Sequence, residues 1–306
     1  MRMRHLSTFA VCALLLVGAG CSPASTTTEP VAIIPTTTTD TETKPSHCVA
    51  ASSPNIPIGD VLALAKEKRA SSFDAIASDG ASVISLDEGR TYGVWWTPDG
   101  FDPSTDMVIV SLHGHGEYAA KGFEVWYPTI KKNDVAYLGI QWWFGRSLED
   151  DGYYDTRKIA ALVDEALRTT GVTSPNVVLH GFSMGSARSY GVTALETLCG
   201  DARIALTISE SGEWKDGYPL YADMLSGIYG EQPLSGNPFI LFCGGAESGP
   251  MARGTCDGMS RTRSRIEQLG GVVTDLLTDP NGGHGSLTMN PANADAAIAA
   301  ARRNLE

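Results

Sequence analysis

Short apolar runs recur along the chain from about residue 81, separated by stretches in which apolar residues return every three or four positions. The runs fall at 81–86, 93–97, 107–112, 135–141, 176–180, 204–209, 238–243 and 272–277. Several, such as MVIVSL, NVVL and FILF, are apolar at nearly every position, as in strands covered on both faces. Helical spacing covers 122–132, 155–170, 185–199, 258–269 and 291–304. The last stretch opens on Asn290 as an N-cap and Pro291 at the first helical position. Two early strands with no helix between them, followed by βαβ units, predict an α/β domain with a mostly parallel eight-stranded sheet and helices on both faces. Between the runs at 204–209 and 238–243 there is room for one short helix around 218–229, so no large cap domain is expected.

The first residues follow a different rule. Arg2 and Arg4 precede an apolar run from Phe9 to Val17, and Gly18, Ala19 and Gly20 lead to Cys21. A basic start, a short apolar stretch and small residues before a cleavage point describe an export signal over 1–20. The segment VGAGC resembles a bacterial lipobox, departing from it at Gly18 where Leu is usual. That resemblance implies lipidation of Cys21 and a membrane anchor, with plain secretion as the alternative. Residues 21–46 are Thr, Pro, Ser and acid, too poor in apolar surface to fold, and read as a tether to a domain at 47–306.

Export changes the meaning of the cysteines. Apart from Cys12 in the signal and Cys21, the chain has Cys48, Cys199, Cys243 and Cys256, an even set that suits disulfides in an oxidising compartment. Cys243 and Cys256 lie close around one loop and are the favoured pair, leaving Cys48 for Cys199. No CxxC spacing points to a metal. The formal charge of −12 offers no basic footprint for nucleic acid.

The candidate chemistry sits at the strand ends. Gly181-Phe182-Ser183-Met184-Gly185 follows the run NVVLH and precedes a helical stretch, a placement that pushes a serine above the sheet with a helix N-terminus behind it. Leu112-His113-Gly114-His115-Gly116 ends the MVIVSL run and can supply a further backbone N–H to an oxyanion, with His113 buttressing the loop. Asn281-Gly282-Gly283-His284-Gly285 follows the last run and offers an imidazole as base and acid. The partner carboxylate is expected between Ser183 and His284, with Glu247 after FILFC preferred, Glu210 and Glu213 as rivals and Asp257 weaker. Trp142 and Trp143, in the loop after the fourth run, are candidates for stacking a substrate, or else pack under a helix.

The order strand–HGHG, strand–GFSMG–helix, strand–GGAE, strand–GGHG resembles the α/β-hydrolase superfamily from about residue 81 to the C-terminus. The resemblance implies Ser183 as nucleophile, His284 as base, Glu247 as acid, and the N–H groups of His115 and Met184 as oxyanion hole. It implies hydrolysis of a small or polymeric carboxylic ester with no cofactor or metal. Exported enzymes of the polyhydroxybutyrate-depolymerase, feruloyl-esterase and acetyl-esterase kinds are similar. A peptidase or acyltransferase on the same fold, or a non-catalytic binding lipoprotein, are the alternatives.

Overall fold

The structure, a computed structural model, describes residues 46–50, 56–247 and 254–306. The signal, Cys21 and the tether up to residue 45 lie outside the described residues. Eight strands form one open sheet: β1 (Ser82–Leu86), β2 (Thr91–Trp96), β3 (Val108–Leu112), β4 (Ala136–Ile140), β5 (Val177–Phe182), β6 (Ile204–Glu210), β7 (Pro238–Gly244) and β8 (Val272–Asp279). Their spatial order is β1-β2-β4-β3-β5-β6-β7-β8. The first two pairings, β1 with β2 and β2 with β4, are antiparallel, and all the others are parallel. Every residue of β3 and β4 is buried, which explains why the runs in VIVSL and AYLGI lack polar alternation. The expected mixed sheet is therefore the observed one.

Chain direction across the sheet reverses at β3, which connects to β4 on one side before the chain returns to β5 on the other. Right-handed crossovers taken in opposite directions put their helices on opposite faces. Accordingly α3 (Ala119–Lys132) shares a face with the C-terminal α9 (Pro291–Leu305), whereas α4 (Thr156–Thr169) packs beside α5 (Met184–Cys199) on the other. Helix α4 shows why the sequence folds this way: Asp155 caps the Lys158 N–H at 2.7 Å, and Ile159, Leu162, Val163, Ala166 and Leu167 bury one stripe. The reversal leaves a crevice at the C-terminal ends of β3 and β5, the usual place for a ligand in such sheets.

Two helices, α1 (Ile58–Lys68) and α2 (Ala70–Ser78), go beyond the sequence expectation. Each buries only two residues, Val61 and Ala65 in one and Ser72 and Ile76 in the other, and neither has a side-chain cap. Their apolar stripes are too thin to stand out from the lysines, glutamate and serines around them. Among the described residues the stretch between β6 and β7 holds one short helix, α6 (Pro219–Leu225), so no cap domain covers the sheet there. Helix α7 (Cys256–Gln268) joins β7 to β8, and a single turn, α8 (Ser286–Met289), precedes α9.

Disulfides join Cys48 to Cys199 and Cys243 to Cys256, with Cα separations of 5.6 and 5.1 Å. The first ties the 46–50 segment to the end of α5. Beside that bridge, burial of the Glu196 carboxyl, reinforced by the neighbouring Asp164 carboxylate, pushes its pKa from 4.5 up to about 7. A raised folded-state value means that the native chain keeps a proton which the unfolded chain releases. This contribution to stability is fully present below pH 4.5 and is lost as the pH rises through about 7. Glu196→Gln should therefore flatten the fall in melting temperature between pH 5 and 8, as followed by calorimetry.

Candidate active site

The crevice is built around Ser183, at the turn from β5 into α5. Its backbone lies at φ 53° and ψ −113°, a conformation strained for a residue with a Cβ. Close packing enforces it. A Cβ on Gly181 would lie 2.5 Å from the Gly185 carbonyl oxygen, and one on Gly185 would lie 2.3 Å from that of Leu112. The Ser183 N–H donates to the Glu210 carbonyl at 2.8 Å, fastening the turn to the end of β6.

His284 stands in the turn after β8, its ring packed on Phe182 with centroids 5.2 Å apart. Its Nε2 lies 2.8 Å from Ser183 Oγ, and its Nδ1 lies 3.0 Å from Glu247 Oε2. A carboxylate only accepts, so Nδ1 carries the proton and Nε2 is left to accept from the serine hydroxyl. The loop bearing Glu247 is laced to the loop bearing His284. Gly245 N–H donates to Asp279 O at 2.7 Å and Ala246 N–H to Gly282 O at 3.0 Å. The Cys243–Cys256 bridge fastens the end of β7 to the start of α7 across the same loop.

Of the rival carboxylates, Glu213 forms part of the groove wall, where it accepts from Gly254 N–H and pairs with Lys215 and Arg261. Glu210 is fully buried against His180. Asp257 lies in the first turn of α7.

Met184 opens α5, so its N–H is one of the first-turn donors that no helical carbonyl reaches. The 113–116 loop passes directly over the serine: a Cβ on Gly114 would lie 3.4 Å from Ser183 Cβ. In this loop the Gly116 N–H is already donated to Tyr153 Oη at 2.8 Å and that of Glu117 to Gly114 O at 3.3 Å. His115 and Met184 line the groove together with Ser183. Beneath them His113 is buried, which holds its pKa down to about 4 and keeps the ring neutral. Its Nδ1–H donates to Gly114 O at 2.9 Å, and its Nε2 accepts from Trp142 N–H at 3.2 Å.

Trp142 and Trp143 require a correction as substrate-stacking candidates, because neither lines the groove. Trp142 is fully buried, stacked on the His113 ring at 5.1 Å, and its indole N–H donates to the His113 carbonyl. Trp143 packs on Tyr118 and Tyr153 and donates to Ser147 O. The cause is a local turn back: Trp143 bridges to Tyr153, and Phe144 N–H bonds to Gly152 O, folding the aromatic rings inward. Leu148 and Glu149, at the tip of that excursion, reach the groove instead. His47 with Cys48 and Cys199 has the reach of a metal cluster, but both sulfurs are committed to a disulfide.

No protein-family model matches the chain, and no curated protein matches it in sequence. Solved structures do resemble it. The esterase of Pyrobaculum calidifontis superposes with a TM-score of 0.54 at 13% identity, covering 80% of this chain and 93% of the other. A bacterial heroin esterase gives 0.55 at 18% identity, over 83% and 94%. A carboxylesterase cloned from a metagenomic library gives 0.56 at 12% identity, over 80% and 97%. The chain has the α/β-hydrolase fold.

On this α/β-hydrolase sheet Ser183, Glu247 and His284 come from the C-terminal ends of β5, β7 and β8. Ser183 opens on a groove of about 300 Å³. One groove residue had no sequence signal: Ser211, directly after β6, has φ 54° and a buried hydroxyl without a hydrogen-bond partner among the described residues. Only its strained position, next to the carbonyl that holds Ser183, sets it apart. The geometry singles out Glu247 among the acids. Glu247→Gln should lower turnover of an activated ester about 10³- to 10⁴-fold, because amide and carboxylate favour opposite imidazole tautomers. Glu213→Gln should stay within about fivefold of wild type in the same steady-state assay.

Proposed function

We propose that the protein is a serine hydrolase that cleaves carboxylic esters through an acyl-enzyme, with a Ser183–His284–Glu247 triad. The observation that carries this reading is the continuous chain of hydrogen bonds from Glu247 through His284 to a serine held above the sheet. As Ser183 Oγ attacks the ester carbonyl carbon, its proton passes to His284 Nε2 and the carbonyl π electrons move to oxygen. The N–H groups of Met184 and His115 receive that oxyanion. Collapse of the tetrahedral species breaks the bond to the alcohol oxygen, which takes the proton from His284. Water then repeats the sequence on the acyl-serine, releasing the acid and restoring the hydroxyl. Glu247 keeps the imidazole in the required tautomer and stabilises its cationic form.

Carboxylesterases among the structural neighbours agree with an ester substrate. The uncapped groove, walled by both apolar Leu148 and charged Glu213 and Lys215, fits small esters better than long acyl chains. We place the enzyme at the cell envelope, exported by residues 1–20 and anchored through lipidated Cys21. Two disulfides in one domain support an oxidising compartment.

Intact-mass analysis after treatment with a fluorophosphonate should show one adduct on the wild type and none on Ser183→Ala, with ester hydrolysis lost in the variant. A folded wild type that takes no adduct would refute the hydrolase reading. Cys21→Ser should move the protein from the detergent phase to the aqueous phase on Triton X-114 partitioning; retention in detergent would refute the lipid anchor.

A further inference from the structure

Behind the site lies a second, wholly buried acid–imidazole pair. Glu210 ends β6 at 0% exposure, and His180 lies on β5 at 1%. Glu210 Oε2 lies 3.2 Å from His180 Nε2. The other carboxylate oxygen, Oε1, accepts the N–H groups of Leu287 and Thr288 at 3.1 and 3.3 Å and lies 3.5 Å from Thr288 Oγ1. His180 Nδ1 faces Ser111 Oγ at 3.1 Å and the Trp126 indole N–H at 3.3 Å. An indole N–H can only donate, so Nδ1 is unprotonated, and the His180 proton sits on Nε2, directed at Glu210.

We propose that Glu210, with His180 as its partner, is a positioning residue that holds both members of the Ser183–His284 pair. Its carbonyl takes the N–H of Ser183 at 2.8 Å, and its carboxylate takes the amides three and four positions beyond His284. One rigid residue thus sets the backbone that carries the nucleophile and the backbone that carries the base. Burying a carboxylate costs free energy that an apolar side chain of similar size would not. What an apolar side chain cannot do is accept directional bonds from both the His180 imidazole on β5 and the amides of α8. Misplacement of a catalytic group by a fraction of an ångström to about 1 Å is enough to cost up to about 10²-fold in rate.

This inference rests on the esterase reading, and its test separates the two. For wild type and Glu210→Gln, kcat and KM for p-nitrophenyl acetate are measured per active site titrated with a fluorophosphonate. The imidazole ¹H–¹⁵N spectrum is recorded alongside, with the His284 signals assigned by their loss in His284→Ala. In Glu210→Gln an amide N–H must face either His180 Nε2–H or the Leu287 and Thr288 amides, so one set of bonds breaks. The expected result is a fall in kcat of about ten- to a hundredfold with KM within about twofold, and displaced His284 resonances. Unchanged kcat and an unmoved His284 signal in a folded Glu210→Gln would overturn the proposal. A wild type that neither hydrolyses nor labels would sink the esterase reading, while the His284 spectrum would still decide the role of Glu210. Should Glu210→Gln not fold, His180→Gln and His180→Leu decide the matter, since only the former restores an N–H for the carboxylate. The Gln variant should retain the higher kcat at a common KM, and equal kcat in the two would overturn the proposal.

Discussion

The strained backbone at Ser183 is the constraint on which the rest of the site depends. A residue at φ 53° relaxes unless its neighbours forbid it, and here the neighbours are other main chains. A side chain at 181 would collide with the backbone at the start of α5, and one at 185 with the backbone at the end of β3. The carbonyl at the end of β6 holds the serine amide from the other side. The strain is therefore held by the sheet, and the hydroxyl meets the imidazole without moving the strands.

Around that fixed point, layers of decreasing rigidity are arranged. The loop over the serine is backed by a neutral, buried imidazole stacked on Trp142. The loops bearing Glu247 and His284 are joined to each other by main-chain hydrogen bonds and flanked by a covalent bridge. Only the outer wall, from Leu148 and Glu149 on one side to Lys215 and Tyr218 on the other, belongs to excursions of the chain beyond the sheet. The Ser183–His284–Glu247 geometry is thus set just past the strand ends, and the shape of the groove by longer loops.

The legibility of these parts in the sequence follows their physics. Strands buried on both faces, such as β3 and β4, leave unbroken apolar runs, and the more exposed edge strands β1 and β8 are still apolar enough that all eight can be placed from the chain to within a few residues. Ser183, Glu247 and His284 stand just past such runs in glycine-rich turns, where a polar side chain is conspicuous. Helices α1 and α2 stay hidden because two buried residues apiece leave no periodic signal. Trp142 and Trp143 mislead because position after a strand does not reveal whether a loop turns outward or folds back. The His180–Glu210 pair is hidden for the opposite reason: His180, embedded in NVVLH, looks like the polar end of an ordinary strand, and Glu210, ending ALTISE, stands out only as a rival for the partner carboxylate. Their pairing exists only once β5 and β6 lie side by side.

Ser183, Glu247 and His284 are spaced far apart in the chain yet stand over one contiguous edge of the sheet, β5 to β8. A slip of one residue in β7 or β8 would turn the side chains that follow to the opposite face. The arrangement of Ser183, Glu247 and His284 is then a gauge of register: it closes only when the three strand pairings from β5 to β8 are correct at once. The hydrogen-bond chain through these three side chains thus amounts to an inspection of the folding of the sheet, one that a misregistered molecule would fail outright.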